Sequence, residues 1–304
     1  MNKWLMVWAA MVGIALCGAE TLNVSCTTYP VWLLTREITD GVKNVRTELM
    51  IPAGTGCPHE YVLTPADMRK LGAKNLLVVR NGLGLDDFVL KPLRKMNPGA
   101  KVIDACAGLK VIHSECGCSH EHAHHHEHAH HHEHVNPHLF ASPDTAAGMA
   151  ANIAAGLMKA DPVHAADYRK NEAVLRGKLL QLSEEMEKLK SRVAGKTIIV
   201  QHGVFDYLAR ALGLKIAAEI QSGGTAPSAA EMRKLVRIIR ESKAAVIFTE
   251  PQYSEQTAAA LARECGIPVC QLDPAAGGPA HAPRDYFLRV MRENLKKIGS
   301  VLAE

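Results

Sequence analysis

The 304-residue chain predicts an α/β protein of two lobes, each a parallel sheet flanked by helices, joined by one long backbone helix. Three observations carry this. Short β-rich apolar runs alternate with helix-like segments, the pattern of a parallel sheet covered by helices. The runs fall into two sets, 22–105 and 197–272. Between the sets, one stretch keeps its apolar residues on a single helical face. Composition agrees, because 47% hydrophobic and 22% charged residues suit a folded chain, and the length allows one large or two medium cores.

Residues 1–19 come first. Lys3 is their only charge, an apolar run extends over 4–16, and Gly18 and Ala19 offer small residues for cleavage. This is the pattern of a secretory signal, and the run is too short for the ~20 residues that span a membrane. Cleavage near Ala19 is expected, leaving an exported, periplasmic or extracytoplasmic protein. Lipid attachment at Cys17 is disfavoured by the bulky Leu16 before it. The mature chain would keep Cys26, Cys57, Cys106, Cys116, Cys118, Cys265 and Cys270. Export permits disulfides, and Cys265 and Cys270, flanking Gly266-Ile267-Pro268, are the first pair to consider.

The N-terminal lobe is expected over 20–160, with strands at 22–27, 45–51, 75–79 and 101–105 and helices at 31–39 and 85–96. Two helix starts carry one device. Thr64-Pro65-Ala66-Asp67 offers an N-cap hydroxyl, a first-turn Pro and an acid at N3, and Ser142-Pro143-Asp144 is a shorter version. Each follows an isolated histidine, His59 or His138, which such a start would fix in space. The long linking helix is placed at 161–193. Leu175, Leu179, Leu182, Met186, Leu189 and Val193 are spaced 4, 3, 4, 3, 4, which keeps them on one face. The repeat is too short to favour a coiled-coil seam over a packed backbone, and a monomer is expected. The C-terminal lobe, 194–304, has strands at 197–200, 215–220, 245–249 and 268–272 and helices at 205–212, 228–242 and 254–265.

A formal charge of +4 gives no strongly basic face, so no nucleic-acid partner is expected. The sixteen histidines are more telling. Ten lie in a period-six tract: His120, His122, His124, His125, His126, His128, His130, His131, His132 and His134. The tract has almost nothing apolar to bury, so the segment 113–136 reads as a mobile loop and an accessory, multi-ion metal feature. The isolated residues are sharper. His59 follows the second strand and His138 the end of the loop, while His202 and Asp273 each follow an apolar strand of the second set. Carboxyl ends of parallel strands converge on the ligand crevice of α/β folds, and three imidazoles with a carboxylate make a plausible Zn²⁺ site. Cys26, Cys57 and Cys106 near strand ends or site loops read as small buried residues or disulfide partners, with a metal-bound thiolate as the sharper alternative. Glu250 reads as a structural acid, with a position facing the cleft as the alternative.

The chain resembles the zinc-uptake, ZnuA-like branch of the metal-binding (cluster A-I) substrate-binding proteins of ABC transporters. The resemblance rests on Pro58-His59-Glu60-Tyr61 with Thr64-Pro65-Ala66-Asp67, Asn81-Gly82-Leu83-Gly84-Leu85, and Asn136-Pro137-His138 with Ser142-Pro143. It continues in Gln201-His202-Gly203-Val204-Phe205-Asp206-Tyr207-Leu208, Glu250-Pro251-Gln252-Tyr253-Ser254 and Leu272-Asp273-Pro274. It implies a bilobed receptor that clamps one Zn²⁺ with His59, His138, His202 and Asp273 and passes it to a membrane permease. It also implies a preference for zinc over manganese, since His202 stands where manganese-type relatives carry a carboxylate. The family usually has Asp at the place of Asn136 and Trp near Phe140, positions that orient His138. The competing class is a zinc hydrolase with Glu60 as base, against which the chain lacks a His-Glu-x-x-His helix.

Overall fold

A computed structural model describes residues 20–55, 58, 61–114, 134–221 and 227–303, with 114 and 134 described in backbone alone. The expectations for 1–19, His59, Cys57, Cys116, Cys118, the tract residues 120–132 and the His134 side chain lie outside the described residues.

The first half runs β1 (Leu22–Cys26), α1 (Tyr29–Ile38), β2 (Val45–Leu49), α2 (Pro65–Leu71), β3 (Leu76–Arg80), α3 (Leu90–Met96) and β4 (Lys101–Asp104). The strands form one parallel sheet in the order β2-β1-β3-β4, with Leu22 opposite Val45 and Asn23 opposite Leu76. Two helices differ from expectation at their starts. α1 begins ahead of Pro30, because a proline in the first turn removes an N–H that has no intrahelical acceptor. The stretch expected as a helix over 85–96 first makes a 3-10 turn at Asp87–Val89. α2 has the full capping box: Thr64 Oγ1 accepts from Asp67 N, and the Asp67 carboxylate accepts from Thr64 N. Burial raises the Asp67 carboxyl, but hydrogen bonds from Thr64 and Tyr61 outweigh it and hold the group below its usual range.

The ends of the segment read as a loop over 113–136 are ordered. β5 (His113–Ser114) pairs antiparallel with β6 (His134–Val135). α4 (Pro143–Ala160) follows, but the start at Ser142 does not repeat the α2 device: its hydroxyl donates to Asp144 Oδ1 at 2.5 Å instead of accepting from the helix backbone. The long helix α5 spans Ala165–Val193, about 43 Å at ~1.5 Å per residue. It starts four residues later than expected, because a 3-10 turn at Pro162–His164 makes the corner. Asp161 Oδ2 holds that corner through His164 Nδ1 and Tyr168 Oη, each at 2.7 Å. All six residues of the expected face are buried. They pack against helices of this same chain, α1, α4, α6 and α9.

The second half runs β7 (Thr197–Val200), α6 (Asp206–Leu212), β8 (Lys215–Glu219), α7 (Ala229–Ser242), β9 (Val246–Thr249), α8 (Gln256–Cys265), β10 (Val269–Gln271) and α9 (Tyr286–Leu302). Its parallel sheet has the order β10-β9-β7-β8, the first half's order read from the other edge. In both sheets the first strand therefore pairs with the second on one side and the third on the other. α9 has no counterpart among the expected elements, although Phe287, Leu288, Met291, Leu295, Ile298 and Leu302 form a buried helical stripe. Cys265 and Cys270 are both free, so the pair considered as a disulfide is not bridged.

One continuous core runs through both sheets, joining Val24 and Leu77 to Val200 and Phe248 by way of Leu179 and Leu182 of α5. A second connection returns from the far end of the chain. The segment after β10 crosses to the first half, where Gly278 N donates to Ala53 O at 3.1 Å and Tyr29 Oη to Pro279 O at 2.9 Å. Arg36 donates to the carbonyls of Ala282 and Pro283, and Arg284 pairs with Asp40 at 2.6 Å.

Candidate metal centre

Strands β7 and β9 are neighbours, and each ends in a polar residue that the sheet sets beside the other. Gln201 N donates to Phe248 O at 2.9 Å, which extends the ladder to the strand ends. The next residue on β7's side is His202, 6% exposed, and the residue after β9 is Glu250, fully buried. His202 Nδ1 lies 3.0 Å from Glu250 Oε1, and Glu250 Oε2 accepts from Gln252 Nε2 at 2.7 Å. Burial pushes the Glu250 carboxyl up, the hydrogen bond to His202 opposes this, and the charge of Asp273 adds to it. Of the two readings of Glu250, a structural acid or one facing the cleft, the geometry gives it a contact at the site: it is the direct partner of His202.

His138 arrives from the other side, three residues beyond β6, and is 2% exposed. Its partner is Asn136. Asn136 Nδ2 donates to Gly203 O at 2.7 Å and to Asp206 Oδ2 at 2.8 Å, so its Oδ1 is the atom facing His138. That oxygen accepts from His138 N at 2.9 Å and lies 2.8 Å from His138 Nδ1. An amide oxygen can only accept, so the network assigns the proton to Nδ1 and leaves the lone pair on Nε2, the nitrogen that can act as a lone-pair donor. The backbone here is held from both halves of the chain: Asn81 Nδ2 donates to Pro137 O at 3.0 Å, and Tyr207 Oη to Asn136 O at 2.7 Å. Asn81, Asp206 and Tyr207 were quoted in the sequence only as parts of motifs; their contacts reach 56 to 95 residues away and left no local signal.

The result is a buried pair of imidazoles. The rings of His138 and His202 meet edge to face with centroids 4.9 Å apart, and Phe140 and Tyr253 flank them. Asp273 stands at the end of β10, beside β9. Its Oδ1 accepts from Ala275 N at 2.8 Å, Tyr286 Oη lies 3.5 Å from Oδ2, and burial raises its carboxyl. Among the described residues, no three His, Cys, Asp or Glu side chains converge as a metal-holding group. His59 lies outside the described residues, but its neighbour Pro58 lines a cavity of about 10 Å³ with Phe140 and Ala276.

Two of the three cysteines considered near the site are described. Cys26 and Cys106 are buried and free, and burial pushes the Cys26 thiol up to about 12 and Cys106 upward as well.

The profile of the family described as "Zinc-uptake complex component A periplasmic" (ZnuA) matches residues 24–301. The high-affinity zinc uptake system protein ZnuA of Bacillus subtilis is 30% identical, over 99% of this chain and 98% of that protein. The zinc-binding lipoprotein AdcA of Streptococcus pneumoniae is 29% identical over 91% of this chain but only 55% of its own length, so the chain spans about half of that relative. Among solved structures, the SBP FpvC from Pseudomonas aeruginosa in complex with Mn²⁺ is similar at a TM-score of 0.78 and 25% identity, covering 93% of this chain and 98% of that one.

Proposed function

The chain belongs to the ZnuA family of zinc-uptake components, and from that membership we propose that it is an exported receptor that captures Zn²⁺ between its two halves and delivers it to the membrane permease of an ABC transporter. The observation that carries the reading is the buried His138–His202 pair, one imidazole from each half, with Nδ1 of each anchored to an oxygen. Two neutral imidazoles presenting Nε2 are half of a tetrahedral zinc shell. His59 and Asp273 complete it in this reading. The family is one of uptake components and not of enzymes, so the hydrolase alternative is set aside. Cleavage near Ala19 would release the receptor outside the cytoplasm, and lobes at 20–160 and 194–304 would share the helix at 161–193 as their frame.

Capture exchanges water around the ion for imidazole and carboxylate. Because protons compete for the same nitrogens, binding is expected to fall below about pH 6. Nitrogen donors favour zinc over the harder manganese ion. The Mn²⁺ in the FpvC structure makes manganese the ion to test against. Metal-free protein titrated with Zn²⁺, Mn²⁺ and Cu²⁺ in competition is expected to prefer Zn²⁺ to Mn²⁺ at equal concentration, and the opposite order would overturn the assignment. His202→Ala is expected to lower zinc affinity by more than the ~10–100-fold typical of an outer-shell change. Unchanged affinity would remove His202 from the site.

A further inference from the structure

We infer that Glu250 is a positioning residue for the metal, acting through His202: it holds the imidazole as its Nδ1–H tautomer and sets a carboxylate behind the ligand, so that Nε2 is both aimed and strengthened as a donor. The inference rests on the zinc-site reading and deepens it.

Four observations lead there. First, both residues leave central strands of one sheet at its topological switch point, where β7 and β9 are hydrogen-bonded neighbours. Their 3.0 Å contact is therefore set by the sheet and not by two mobile loops. Second, Glu250 is itself oriented. Gln252 Nε2 donates to Oε2 at 2.7 Å, which leaves Oε1 for His202. Third, among the described residues the recorded ion pair of Glu250 is with His202 and with no Lys or Arg. A buried carboxylate without a permanent cation is unfavourable, and a Gln would make the same hydrogen bond without that cost. The charge is explained if a dication arrives on the far side of the imidazole. Fourth, the two imidazoles are supported differently. His138 faces the neutral amide of Asn136, which can orient a ring but adds little to its basicity, whereas a carboxylate does both. His202 is thus the stronger donor of the pair.

The test uses the full mature chain with Glu250→Gln and Glu250→Leu, zinc affinity measured by chelator competition, and the His202 tautomer read by ¹⁵N NMR of the metal-free protein. Gln keeps an acceptor for Nδ1–H and removes the charge, so affinity is expected to fall on the order of tenfold with the tautomer kept. Leu removes both, so affinity is expected to fall towards ~100-fold and the tautomer preference to disappear. In a His202→Ala background, Glu250→Gln is expected to add no further loss. Wild-type affinity in both Glu250 variants, with affinity lost in His202→Ala, would overturn the role of Glu250 alone. Wild-type affinity in His202→Ala would instead overturn the zinc-site reading. If Glu250→Leu does not fold, the near-isosteric Gln variant and its combination with His202→Ala still decide the charge effect.

Discussion

At the scale of single residues, Asn136 has all its hydrogen-bonding positions filled, two accepted from His138 and two donated to Gly203 and Asp206. Its donors are what an aspartate could not supply. Asp206 is a largely buried carboxylate whose pKa burial raises and the Asn136 hydrogen bond lowers. Asn136→Asp would set two carboxylates 2.8 Å apart and is expected to cost about 1–3 kcal/mol in stability and to weaken zinc binding. Adding Asp206→Asn returns a donor to the pair and is expected to restore much of both, read by thermal melting and zinc titration. A double variant no better than the single would mean that the contact with Asp206 does not matter. The imidazoles themselves were legible in the sequence, because His202 follows an apolar run that ends where a strand ends and His138 stands where the histidine tract gives way to a helix start. Their partners were not, since Glu250 lies 48 residues from His202 and Asp206 lies 70 from Asn136, distances that only the topology closes.

At the scale of elements, legibility followed periodicity. The α5 stripe has no competing pattern, and its six residues are the buried ones. Its start was misplaced because Pro162 suits a helix's first turn as well as it suits the 3-10 corner actually made. α9 carries an equally regular stripe, yet it follows a Pro- and Gly-rich stretch at 274–283 where the alternation of strand and helix breaks off. Because α5 packs on helices from both halves, its core residues report on the whole molecule. Leu182→Ala, at a fully buried position, is expected to cost about 2–5 kcal/mol in a single denaturation transition. Two separated transitions would show that the halves fold independently despite their common core.

At the scale of the whole molecule, the two sheets repeat one strand order and meet around one helix, and the proposed cargo site takes an imidazole from each half. The histidine tract enters this frame between paired strands, β5 and β6, which keep its ends together whatever lies between them. Deleting residues 120–133 is therefore expected to leave one tight zinc site and to remove only weaker, multiple binding, as counted by calorimetric titration. Loss of the tight site on that deletion would mean that the tract supplies ligands to it.

The crossing segment after β10 has a mechanical consequence. The chain passes from the first half to the second along α5 and comes back through Gly278, Pro279 and Arg284, so the halves are fastened at two separate places and form a closed frame. A frame braced twice resists gaping as a rigid hinge, and its compliance is left to the short segments that carry the ligands. The brace begins at Asp273 and is tightest at Gly278, where a side chain would meet the hydroxyls of Tyr29 at 2.6 Å and Tyr286 at 2.9 Å. Gly278→Ala is thus expected to slacken the brace and speed zinc release in stopped-flow chelator exchange, with little change in the rate of capture. An unaltered release rate would show that the brace carries no load when the ion leaves. Holding time, in such a frame, is set by stiffness far from the ion as much as by the strength of the bonds around it.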